Sequence, residues 1–209
     1  HDDRVCAYPS LIAQVESDNL KKTGVCILVD KEEIGSMGAT GMESKFFENT
    51  VAEVLNAMGD YSELKLRRTL ANSKMLSSDV SSSFDPYETA EAYRYFFEKK
   101  NTAFVGKGVV FNKFTGARGK SGSSEAPAEF IAELREVLDA EEISYQLAEL
   151  GKVDIGGGGT IAYIMANYGM KVIDCGVPVL NMHAPEEIIS KVDVYEAYRC
   201  YKSFLASIN

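Results

Sequence analysis

Two adjacent carboxylates, Glu32 and Glu33, stand in Asp30-Lys31-Glu32-Glu33-Ile34-Gly35-Ser36, directly after the apolar run Gly24–Val29. A buried strand ending this way places acids at the carboxyl edge of a sheet, where α/β proteins build their sites. Neighbouring side chains of a regular strand point to opposite faces, so both acids enter one site only if the backbone turns, as Gly35 permits. The same residues would also make a solvated acidic turn. Asp79, in Leu76-Ser77-Ser78-Asp79-Val80, repeats the pattern of an acid closing an apolar run, with helix capping as its other role. His183 follows a third apolar run, in Val179-Leu180-Asn181-Met182-His183-Ala184-Pro185-Glu186-Glu187. A lone histidine is more often a hydrogen-bonded core or surface residue than a ligand. Together, however, Asp2, Glu33, Asp79 and His183 form an oxygen-rich set with one nitrogen. That set suits two hard or borderline divalent cations bridged by a carboxylate. The chain has 2 histidines, His1 and His183, which excludes a His-rich zinc site.

Two glycine-containing segments offer weaker chemistry. Gly119-Lys120-Ser121 imitates the end of a phosphate-binding loop, but Phe114 occupies the position where that pattern begins with glycine. Gly156-Gly157-Gly158-Gly159-Thr160 can point backbone N–H groups at an anion or a carbonyl oxygen, which makes Gly157 and Gly158 candidate substrate contacts. Ile161 stands where a dinucleotide fingerprint needs its last glycine, so dinucleotide binding is poorly supported, and a tight strand-to-helix turn is the competing role. Lys113, Arg118 and Lys120 could meet an acidic substrate side chain, although surface lysines are usually solvated.

The elements that would carry these residues alternate. Val5–Val15, Ser44–Met58, Ala126–Leu138, Thr160–Tyr168 and Val192–Leu205 have helical apolar spacing. Gly24–Val29, Lys74–Val80, Lys107–Phe111, Ile143–Leu147 and Val172–Val179 read as strands. Gly116–Ser124, with three Gly and three Ser among nine residues, is expected to be a mobile loop. The alternation argues for an α/β fold with a mostly parallel central sheet flanked by helices, in a single domain.

Composition narrows the function classes. The 209 residues are 45% hydrophobic and 25% charged, enough to bury one sizeable core. Lys and Arg total 22 against 31 Asp and Glu, for a net charge of −9, so nucleic acid would meet a repulsive field. No apolar run approaches the roughly 18 residues of a membrane span. Cys6, Cys26, Cys175 and Cys200 are scattered without a CxxC pair and read as reduced thiols of a cytoplasmic protein.

Five segments in order, Asp2-Asp3-Arg4-Val5-Cys6, Asp30–Ser36, Ser77-Ser78-Asp79, Gly156–Thr160 and Asn181-Met182-His183, resemble the aspartyl aminopeptidase and aminopeptidase I family of cocatalytic zinc metallopeptidases. Asp-x-Glu-Glu-Ile-Gly-Ser is the most specific element, and Val192–Arg199 is similar to the family's last helix. The resemblance implies a zinc-peptidase-like three-layer sandwich that removes N-terminal residues from peptides. It implies two divalent ions, zinc above cobalt or manganese, bridged by Asp2, with Glu33, Asp79 and His183 as further ligands. Glu32 would be the general base that deprotonates water and passes the proton to the departing amine. Ions acidify water from a pKa of 15.7 to about 7, within reach of such a carboxylate. The family's His-x-Asp motif, which supplies a ligand and an Asp that orients the base, is absent from these 209 residues, as is its dimerisation domain. The expectation is therefore residues 1–209 as the C-terminal portion of a catalytic domain, incomplete on its N-terminal side, from a protein that forms homo-oligomers when whole. A cis peptide at Asp2-Asp3 is expected in the complete metal-loaded enzyme, and trans or disorder in this chain without metal. Competing readings are a tetrahedral aminopeptidase or cellulase-like relative, or a catalytically incomplete fragment serving as a structural or assembly module.

Overall fold

The computed structural model describes residues 1–88, 91–118, 121–152, 154–155, 157–158 and 161–208. The chain runs through α1 (Arg4–Val15), a 3₁₀ turn (Glu32–Ile34), α2 (Phe46–Ala57), α3 (Glu63–Ala71), β1 (Lys74–Ser78), β2 (Ser81–Ser82) and α4 (Glu91–Phe96). It continues with β3 (Val109–Asn112), β4 (Phe114–Ala117), β5 (Ser121–Glu125), α5 (Ala128–Ala140), β6 (Tyr145–Ala148) and α6 (Ala162–Ala166). β7 (Lys171–Gly176), β8 (Pro178–Leu180), β9 (Ile188–Ile189) and α7 (Lys191–Ser207) complete it.

The central sheet has the order β1-β7-β3-β6. β1 pairs with β7 and β3 with β6 in parallel, while β3 meets β7 antiparallel. Successive side chains of β7 then feed two cores, as the two-residue period of a strand requires. Ile173 and Cys175 pack with Cys6 of α1, Phe130 and Leu134 of α5, and Cys200 of α7. Val172 packs with Leu66 and Leu70 of α3 and Met165 of α6. Helices therefore cover both faces of the sheet, which is the three-layer α/β arrangement expected from the alternation.

Local chemistry accounts for the covering helices. In α5, Phe130, Leu134 and Leu138 recur every fourth residue and are all buried. Ser190 caps α7 by accepting from the Asp193 backbone N–H, and Ser62 caps α3 by accepting from Lys65. Buried Asp193 accepts from the backbone N–H groups of Gly106 at 2.6 Å and Gly108 at 2.8 Å, tying α7 to the loop that enters β3. α2 has no buried residue, and Phe46 and Met58 of its expected apolar face are 68% and 72% exposed.

Three sequence expectations need correction. Gly24–Val29 forms no strand; Val25 and Leu28 stay 55% and 56% exposed. A cavity of about 890 Å³ is lined by this segment and by Met75 and Leu76 of β1. A ladder needs strands about 4.8 Å apart, and no pairing joins this segment to β1. Second, Val172–Val179 is two strands, because Pro178 has no N–H to continue the first ladder and β8 pairs instead with β2. Third, the described residues of Gly116–Ser124 belong mostly to two paired strands and not to a loop, with Thr115 paired to Ser124 and Ala117 to Ser121. Gly119 and Lys120 lie outside the described residues, as do Gly156, Gly159 and Thr160. The four cysteines are unpaired, and among the described residues no helix is long and apolar enough to cross a membrane.

Candidate metal centre

Four chain segments converge beyond the β1 and β8 ends of the sheets. Asp2 and Asp3 immediately precede α1, and the bond between them is cis, not the trans geometry expected of this chain without metal. Glu32 and Glu33 open the 3₁₀ turn, bracketed by Lys31 at φ 72° and Gly35 at φ 92°. Those left-handed residues supply the backbone turn that adjacent carboxylates need to share a site. Asp79 follows β1, where its N–H donates to the Cys175 carbonyl at 2.9 Å. Gly176 lets β7 pass close by, since an added Cβ would collide with the Asp79 carbonyl oxygen. His183 lies in the loop after β8 at φ 66°.

The donor atoms form two groups with one member in common. Asp2, Glu33 and His183 offer atoms that all lie within 4.8 Å of one another, and so do Asp2, Asp3 and Asp79. Within the first group, His183 Nε2 is 3.2 Å from Asp2 Oδ2 and 3.1 Å from Glu33 Oε1. One imidazole and a ring of carboxylates is a donor set for zinc or another borderline divalent cation. Asp3 Oδ1 is buried without a hydrogen-bond partner, which also fits a cation site.

Electrostatics point the same way. Burial and the neighbouring Glu33 push the Asp2 carboxyl up to about 6. Burial, then Glu33 and Asp2, raise Glu32, which is half-buried. Asp79 is driven well above the carboxylate range by burial, then by Asp174, Asp3, Glu32 and Asp2. Acids crowded this closely cannot all ionise cheaply unless positive charge is brought among them.

Asp3 gives this a measurable consequence. Burial pushes its carboxyl up to about 7, with a hydrogen bond from Cys6 opposing and the charge of Asp2 adding to the rise. A folded-state value above the unfolded 3.8 makes the metal-free fold most stable below that pH, and the stability is lost as the pH climbs through about 7. Asp3→Asn removes the titration. In chelator-treated protein it is expected to match the wild type near pH 4 and exceed it at pH 8, by on the order of 4 kcal/mol at most. Urea unfolding at the two pH values measures the difference; equal stabilities at pH 8 would contradict it.

The sequence-derived substrate contacts Lys113, Gly157 and Gly158 each have partners within the fold. Lys113, between β3 and β4, forms an ion pair with Glu125 at 2.8 Å. Gly157 donates to the Leu150 carbonyl at 2.8 Å at φ 90°, and the Gly158 carbonyl accepts from Gly116 at 3.1 Å. Gly158 thus holds β4, and Gly157 packs so close that an added Cβ would run into the Gly116 carbonyl oxygen. Sequence reasoning overlooked Asp3, Asp174 and Glu187. Asp174 is 3% exposed on β7, in register with Ser77, and the signal for it was an acid inside the apolar run Val172–Val179. Glu187 had no signal beyond standing four residues after His183.

Comparison with known proteins supplies the family. A family model for aminopeptidase I zinc metalloproteases (M18) matches residues 1–205. A probable M18 family aminopeptidase 1 of Clostridium acetobutylicum is 63% identical over 204 residues, covering 98% of this chain and 43% of the relative. A protein of the same description from Thermotoga maritima is 42% identical over 208 residues, covering 99% of this chain and 45% of the relative. The crystal structure of the Clostridium acetobutylicum aminopeptidase I superposes with a TM-score of 0.85 at 61% identity, over 98% of this chain and 42% of that one. The Thermotoga maritima M18 aminopeptidase gives 0.91 at 40% identity, over 99% of this chain and 45% of that one. The chain thus spans less than half the length of these relatives. With a family match running from the Asp2 cluster into α7, this chain belongs to the aminopeptidase I zinc metalloproteases, the M18 family.

Proposed function

We propose that the chain carries the metal centre and general base of an aminopeptidase that hydrolyses N-terminal residues from peptides, as the C-terminal portion of the catalytic domain. The observation that carries the reading is the position of Asp2, whose carboxylate belongs to both donor groups. Asp2, Glu33 and His183 would hold one divalent ion, zinc in the first instance, and Asp2 with Asp79 would hold a second. Bound ions supply the Lewis acidity that acidifies water and polarises a scissile carbonyl.

The remaining chemistry belongs to this chain. Glu32, half-buried next to Glu33, takes the proton of the attacking water on a carboxylate oxygen and delivers it to the nitrogen of the departing peptide. The 3₁₀ turn carries Glu32 and Glu33 side by side on one backbone segment. Asp3 and Asp174 keep the Asp79 environment acidic from the protein side. The complete protein is a cytoplasmic homo-oligomer in this reading.

The test uses the full-length protein with one peptide in two forms, its amino terminus free or acetylated. Cleavage of the free form alone, abolished by a chelator and restored by zinc, is expected. Equal cleavage of the acetylated peptide, or activity that survives chelation with no metal retained, would overturn the proposal.

A further inference from the structure

The loop that presents His183 has its own anchor. Glu187 spans two of the converging segments: its Oε1 accepts from the His183 backbone N–H at 2.8 Å, and its Oε2 accepts from the Asp2 backbone N–H at 2.8 Å. The backbone nitrogen of His1 lies 2.6 Å from the same Oε2. The Glu187 side chain is only 7% exposed. Charge-assisted bonds of this kind are roughly twice as strong as neutral ones.

The anchor acts where the backbone most needs one. His183 holds φ 66°, a left-handed conformation that non-glycine residues adopt rarely and only under restraint from their surroundings. Asn181, two residues earlier, is also left-handed at φ 59°. The Ala184 N–H donates to the Asn181 carbonyl at 2.9 Å, which shapes the turn but does not join it to Asp2. Among the described hydrogen bonds, the Glu187 carboxylate, 185 positions from Asp2 in sequence, is what connects the His183 backbone to the Asp2 backbone.

We infer that Glu187 is a positioning residue for the metal centre: by gripping the backbones of Asp2 and His183 with its two oxygens, it sets the separation of Asp2 and His183 as ligands to a shared ion. The inference rests on the two-ion reading above. It specifies why a carboxylate is required. Glutamine of the same size has one accepting oxygen, and its amide nitrogen would face an N–H donor. Aspartate is one methylene shorter and cannot reach both backbones.

The experiment compares wild type, Glu187→Gln and Glu187→Ala in the full-length protein. Zinc affinity is measured by chelator competition, the coordination sphere by visible absorption of the Co²⁺-substituted protein, and the fold by far-UV circular dichroism. Loss of an outer partner of a metal ligand typically weakens binding about 10–100-fold. That loss, in one of two sites, is expected for both variants, with an altered Co²⁺ spectrum and unchanged dichroism. Glu187→Gln provides the measurement if Glu187→Ala does not fold. A variant with lower melting temperature but wild-type zinc affinity and Co²⁺ spectrum would overturn the positioning role and leave the metal centre intact. A wild type that binds no ion would overturn the metal centre and this inference with it.

Discussion

Replacing Glu32 by Gln in the full-length protein is expected to lower turnover at least about a hundredfold while leaving two zinc ions bound and the fold unchanged. General bases contribute 10²–10⁴ to rate, and glutamine keeps the shape of glutamate but gives up the proton-accepting carboxylate. Glu32 is absent from both donor groups, although it neighbours Glu33, which is in one of them. Chemistry and metal binding therefore separate at two adjacent positions: Glu33→Gln should weaken binding, whereas Glu32→Gln should not. Zinc content by elemental analysis, measured beside kcat, decides the matter. Turnover near the wild-type rate would remove Glu32 from the mechanism, and loss of zinc would make it a ligand.

Asp2→Asn should have the broadest effect of any single substitution. Its side chain is 12% exposed and serves both donor groups, so neutralising it weakens both sites together. Bound zinc should fall from two ions to less than one, and turnover by at least about a thousandfold. Ions supply several kcal/mol of transition-state stabilisation, and each 1.36 kcal/mol is tenfold in rate. The fold should survive. In metal-free protein above pH 6 the variant is expected to be at least as stable as the wild type, because Asn removes one charge from a crowd that pushes the Asp2 carboxyl up to about 6. Loss of a single ion with retention of the other would make Asp2 an ordinary ligand, not a bridge.

What the sequence made legible is that Asp2 lies with Glu33 and His183 in one group and with Asp79 in another. Asp2, Glu33, Asp79 and His183 each end an apolar run or begin a helix, positions where side chains leave the regular lattice and can meet. Their convergence was legible because residue types at strand ends carry chemistry regardless of which strands pair. The helices were legible too: the four-residue recurrence of Phe130, Leu134 and Leu138 admits one period. Gly24–Val29 was misread because its composition is that of a buried strand, yet a strand is defined by its neighbour's hydrogen bonds, and across the 890 Å³ cavity β1 does not provide them. The hairpin at Phe114–Glu125 was missed for the opposite reason. Its Gly- and Ser-rich residues carry no alternating apolar pattern, and the ladder is held by backbone pairing and by the bond from Gly116 to the Gly158 carbonyl. Glu187 escaped notice because its work is done on backbone N–H groups, which no residue pattern records.

The central claim is that one carboxylate, Asp2, lies between two metal ions. Anomalous diffraction at the zinc absorption edge from crystals of the full-length protein tests it directly. Two anomalous peaks about 3.5–4 Å apart, the usual spacing of paired catalytic ions, are predicted on either side of Asp2. One should lie within bonding distance of Glu33 and His183, the other within bonding distance of Asp79. A single peak that Asp2 does not touch, or two peaks with Asp2 bound to neither, would contradict the account.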